Sequence, residues 1–110
     1  MMACDSEAMR KRATRRYRCK DSAIAYLTAT GTEARYEIKL LDISEEGIGF
    51  LLSRTLDYGT EIAITLASLK MGHITLVGRI AHVTECGNSL WAIGCSLKRR
   101  IPAVVMDELL

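Results

Sequence analysis

No apolar run in this sequence approaches the roughly 18 residues that a membrane-spanning helix requires. The opening stretch, MMACDSEAMRKR, lacks the apolar segment of a secretory signal, and Asp5 and Glu7 argue against a transit peptide. The cytosol is therefore the expected compartment, with no membrane insertion. There is no Cys-x-x-Cys among the four cysteines at 4, 19, 86 and 95, so the paired spacing typical of a zinc site is missing. No metal is expected. Aromatic residues make up only 5% of the chain, which leaves few platforms for stacking the bases of a long nucleic acid. The phosphate-loop, dinucleotide-fingerprint and His-Glu-x-x-His patterns are also absent. Gly47-Ile48-Gly49 runs into Phe50-Leu51-Leu52 and does not precede a helix. The two histidines, His73 and His82, fall in or beside one expected strand with no partner for base catalysis in view. An enzyme is not expected.

What is present is a single domain's worth of core-forming residues, 49% hydrophobic within 110 residues. The net charge of +2 hides an asymmetry. Residues 1–20 hold seven basic and two acidic side chains, a net +5, while residues 21–110 hold eight basic and eleven acidic ones, a net −3. The first segment reads as a flexible basic arm, suited to phosphates. Residues 21–110 read as one domain.

From Ala23 the pattern becomes that of strands. Ala23–Thr28 ends at Thr30-Gly31-Thr32. Tyr36, Ile38 and Leu40 alternate with Glu37 and Lys39, and Ile48–Leu52 is closed by Asp57-Tyr58-Gly59. Ile62–Leu66, Ile74–Val83 and Leu90–Leu97 follow, the last two separated by Gly87-Asn88. Six strands with short turns and no intervening helix predict a six-stranded antiparallel β-barrel, since closure removes exposed edges. Pro102 then opens a short C-terminal helix over residues 102–110. A hairpin at Gly87-Asn88 would pair Cys95 well upstream of Cys86, so no disulfide joins them. Trp91 is expected in the core.

Two features carry chemistry. Arg12-Ala13-Thr14-Arg15-Arg16 contains an Arg-x-x-x-Arg spacing, and each guanidinium fork matches two phosphate oxygens or the O6 and N7 of guanine. By itself this spacing is a weak signal. Asp42-Ile43-Ser44-Glu45-Glu46-Gly47 falls where one strand gives way to the next. An aspartate can accept guanine's N1–H and N2–H, the serine can bond a ligand or brace the turn, and the glycine can supply φ > 0 and close approach. The plain alternative is a loop in which Asp42 and Ser44 cap local amides.

An arginine pair before the first strand and this turn after the second resemble the PilZ domain family. The resemblance extends over nearly the whole chain: Arg12–Tyr17, Leu41–Phe50, Leu76–Val83 and Trp91–Cys95 each look like a family segment. It implies a six-stranded barrel and, in many members, a receptor for the bacterial second messenger cyclic di-GMP. On that resemblance Arg12 and Arg16 would hold guanine and phosphate groups, and Asp42, Ser44 and Gly47 would engage a guanine. Arg15 could add a contact. Lys11 occupies a position that in the family bears on whether one or two ligand molecules bind. The expected partners are cyclic di-GMP, bound as a ligand with no cofactor, and a downstream protein, because no output domain is present. The alternatives are a PilZ-like interaction module that binds no nucleotide, and a basic-armed barrel that binds nucleic acid.

Overall fold

Alternation of apolar and polar residues sets the strands in place. The structure, a computed structural model, describes residues 15–110. Its strands are β1 (Tyr17–Arg18), β2 (Ile24–Ala29), β3 (Arg35–Ile43), β4 (Gly47–Leu52), β5 (Glu61–Ser68), β6 (Gly72–Gly87) and β7 (Leu90–Leu97), followed by helix α1 (Ala103–Leu109). All pairings are antiparallel, in the order β1-β3-β2-β5-β6-β7-β4, and β4 returns to β3. Strands β2–β7 thus form the expected closed six-stranded barrel, and β1 is an extra strand. The sheet begins at Tyr17, inside the segment read from sequence as the arm. Tyr17 pairs with Ile43 and Arg18 with Asp42, while Cys19 donates its amide to the Leu41 carbonyl at 2.9 Å. Two residues with exposed side chains carry no burial pattern of their own, so this strand comes from pairing, not from periodicity.

The inward set is nearly all aliphatic: Leu27, Ile38, Leu40, Ile43, Ile48, Ile62, Ile64 and Leu66 are at most 1% exposed, around the single phenylalanine, Phe50. Trp91 is half-buried and packs against this cluster. Helix α1 adds Val105, Met106 and Leu109 to it. The helix closes one barrel end: the Leu109 carbonyl accepts from the Lys20 amide, and the Glu108 carboxylate accepts from the amides of Leu69 and Lys70 at the β5–β6 turn.

The β6–β7 hairpin differs from the sequence expectation by one residue. Its turn residues are Asn88 and Ser89, at φ 54° and 59°. Two successive positive φ angles make a tight hairpin turn whose twist matches its strands. Asparagine tolerates that geometry well. Cys95 pairs with Ile80 on β6, so the hairpin keeps it apart from Cys86. Cys19, Cys86 and Cys95 are all free thiols.

Candidate functional site

Asp42 reaches the outside of the barrel because β3 breaks its own alternation. Ile38 and Leu40 point inward, and strict alternation would send residue 42 inward too. A bulge between Leu40 and Asp42 shifts the phase. Ile43 becomes the buried residue and Asp42 turns outward, opposite Gly49 on β4. The carboxylate lies directly over that glycine: a Cβ at position 49 would sit 2.7 Å from Asp42 Oδ1. Only glycine leaves this space.

The pairing of β1 with the end of β3 brings Arg16 to the same place. Arg16 Nη1 donates to Asp42 Oδ1 in an ion pair whose side chains are 20% and 40% exposed. Among the described residues the fork is not fully used. The buried Arg16 Nε–H has no acceptor among them, and a buried donor left unpaired is costly. The arrangement therefore favours a further acceptor beside Arg16.

The turn under this pair is braced from within. Ser44 is 4% exposed; its hydroxyl accepts from the Glu46 amide at 3.3 Å and donates to the Gly47 carbonyl at 3.5 Å. Of the two roles left open for Ser44, bracing the turn is the one visible here. Gly47 is required for a different reason from the positive φ considered above, since it is not among the residues with positive φ. A Cβ there would lie 2.9 Å from the Cys95 carbonyl oxygen and 3.6 Å from Arg16 Nη2. Close approach of β4 to β7 is what demands glycine. Outside the turn, the Leu97 amide donates to the Glu46 carbonyl, the Ile101 amide donates to the Glu45 carbonyl, and Arg100 pairs with both glutamates at 3.1 and 3.7 Å.

Two buried thiols flank the site. The Cys95 thiol is pushed up to about 11, chiefly by burial, with an Ile48 backbone hydrogen bond and the charge of Arg16 opposing. Burial, aided by the charge of Asp42, raises Cys19 to about 11 as well. Both stay protonated at neutral pH and act as small packing groups.

The structure thus brings together Arg16, Asp42, Ser44 and Gly47. Arg15 is exposed and stands apart from the ion pair, in an open groove with Tyr17, Glu45, Met106 and Leu110. Lys11 and Arg12 lie outside the described residues. Sequence reasoning missed Gly49 and Arg100. The Gly47-x-Gly49 spacing was a usable signal, because alternate glycines on a strand clear one face. Nothing in the sequence pointed to Arg100, which is 55 residues from its partner Glu45. Among the described residues no three His, Cys, Asp or Glu side chains cluster as metal ligands, and no helix is long and apolar enough to cross a membrane.

Comparison with known proteins extends the picture. The PilZ domain of YcgR from Escherichia coli, solved with c-di-GMP, superposes with a TM-score of 0.61 at 18% identity, covering 88% of this chain and 85% of that one. The Klebsiella pneumoniae MrkH–c-di-GMP complex gives 0.62 at 18% identity, over 89% of this chain and 47% of that one. The Bacillus subtilis inhibitor of motility (MotI/DgrA) gives 0.61 at 10% identity, over 90% and 48%. This chain spans about half the length of the last two. At these identities the likeness shows the fold alone. No curated protein matches the sequence. The sequence profile described as the PilZ domain, however, matches residues 10–110, and on that span the chain belongs to the PilZ domain family.

Proposed function

We propose that this protein is a non-catalytic receptor for cyclic di-GMP that passes the signal to a separate protein. The observation that carries this reading is the meeting of Arg16 and Asp42 on the outer barrel face, above a turn braced by Ser44 and closed by Gly47. Asp42, 40% exposed, keeps carboxylate surface free to accept a guanine's N1–H and N2–H. Arg16, whose side chain is 20% exposed, offers the accessible part of its guanidinium to a phosphate or to O6 and N7. Arg12, one motif spacing earlier, supplies a second fork, and the basic segment closes over the ligand to create a new surface for the partner. The E. coli and K. pneumoniae neighbours, each solved with c-di-GMP, support the ligand's identity.

Calorimetric titration with cyclic di-GMP, beside GTP and single-stranded RNA, tests the reading. Saturable binding of cyclic di-GMP alone, with the ligand recovered intact by chromatography, is expected. Recovery of a linear product would point to a phosphodiesterase instead. Asp42→Ala should weaken binding by about 1–3 kcal/mol, the scale of a hydrogen bond to a charged group. It should also narrow the preference over cyclic di-AMP. Equal behaviour of mutant and parent toward both ligands would reduce Asp42 to a loop cap.

Gly49→Ala offers a gentler test of the same geometry. The added methyl group meets Asp42 Oδ1 and pushes the carboxylate aside. A several-fold loss of affinity is expected with little change in melting temperature, because the carboxylate is partly exposed and free to move. Unchanged affinity would mean that Asp42's position over β4 is irrelevant to binding.

A further inference from the structure

A second bulge, on the far side of the same face, turns out another polar side chain. In β6 the register shifts between Ile80 and His82. Ile80 is buried, and the shift places His82 outward, exposed, opposite Gly94 of β7. Gly94 in turn pairs with Gly49, and Gly49 with Asp42. One cross-strand row therefore reads Asp42, Gly49, Gly94, His82. Its two ends carry the only long side chains, each brought out by its own bulge.

The imidazole leans over the row. A Cβ built on Gly94 would lie 3.5 Å from His82 Cδ2 and 3.6 Å from His82 Cβ, so the ring borders the glycine floor from the β6 side as the Asp42 carboxylate borders it from β3. Arg79, the nearest cation on β6, directs its guanidinium to the Gly59 carbonyl at 3.1 Å. It is not aimed at this row.

Three strand spacings separate β3 from β6, roughly 14 Å along the sheet. A purine is narrower than two such spacings, so a mononucleotide held at Asp42 stops short of His82. Two joined nucleotides lying across Gly49 and Gly94 reach it. We infer that His82 is a specificity-determining contact for the second guanine of the ligand, the one not held by Asp42. This rests on the receptor reading above. A ring N–H of histidine donates to acceptors, and guanine's outer edge offers two, O6 and N7. Adenine replaces O6 with an N6 amino donor, which faces the same N–H unfavourably.

The test is calorimetry on the parent, His82→Ala, His82→Phe and Asp42→Ala. Each is titrated with cyclic di-GMP and with the mixed cyclic dinucleotide carrying one guanine and one adenine. The parent should prefer cyclic di-GMP. His82→Ala should lose about tenfold in affinity for cyclic di-GMP, the scale of one hydrogen bond with its packing. It should lose less for the mixed ligand, so that the preference shrinks. His82→Phe keeps the ring but has no donor, and should show the same narrowed preference. Melting temperatures should stay near the parent's, since His82 is exposed. If His82→Ala binds cyclic di-GMP as the parent does while Asp42→Ala is impaired, the receptor reading stands and the role of His82 is overturned. Equal losses for both ligands would also overturn it, because the second base would not be read. A parent that binds neither ligand overturns the receptor reading, and the inference with it.

Discussion

Replacing Arg12 and Arg16 together with alanine is expected to abolish binding of cyclic di-GMP and leave the barrel's melting temperature nearly unaltered. On the receptor reading each arginine would contribute charge-assisted hydrogen bonds to the ligand, worth about 1.5–3 kcal/mol. Losing both costs about 3–6 kcal/mol, at least a hundredfold in affinity. The stability effect is small for a separate reason. The Arg16–Asp42 pair is 20% and 40% exposed, and ion pairs with such access to water contribute about 0–1 kcal/mol. Water can also reach the Asp42 carboxylate once its partner is gone. Hydrogen exchange supplies the second readout. In the parent, ligand should slow exchange at residues 12–18 and around Ser44–Gly47, with little change across Ile62–Leu66, and the double variant should show no such protection. Protection spread equally over the whole barrel would mean that closure of the basic segment is not how the ligand signals. Binding retained by the double variant would remove the arginines from the site.

Phe50→Ala is expected to have the largest effect on stability, about 3–5 kcal/mol. Phe50 is fully buried and is the only phenylalanine in the chain. It lies on β4 between Leu40 of β3 and Ile93 of β7, at the seam where the barrel closes. The aliphatic side chains around it are branched and already packed, so they fill little of the cavity left by the ring. A domain of this size is stable by roughly 5–15 kcal/mol, so such a loss takes up a large share of the total. A drop in melting temperature of roughly 10–25 °C, followed by circular dichroism, is the expected result. Because β4 also carries Gly47 and Gly49, weakening it should loosen the floor beneath Asp42. A loss below about 1 kcal/mol would contradict closure of the barrel around Phe50.

The site was legible to the extent that it was local. Asp42, Ser44 and Gly47 lie within six residues, and their identities suffice to mark a polar turn between apolar runs. Arg16 announced itself through charge density near the start of the chain. What each does was less legible. Ser44 was open between ligand and turn, and the hydrogen bonds to Glu46 and Gly47 show its bracing role. Gly47 suggested a left-handed backbone, but the neighbouring Cys95 carbonyl is what excludes a side chain there. That carbonyl is 48 residues away, and no local pattern could reveal it.

Periodicity, turn residues and composition determined the barrel by themselves. Each strand needed only an alternating or continuous apolar run, and each connection only its glycine or asparagine, because these preferences act over a few residues. The tertiary structure alone decided the extra strand β1, whose exposed residues are held by β3 and not by burial. It also decided the two bulges that turn Asp42 and His82 outward. A bulge shifts a strand's phase relative to its partners, and that register is set by contacts between distant segments. The row from Asp42 to His82 exists only once four strands are aligned.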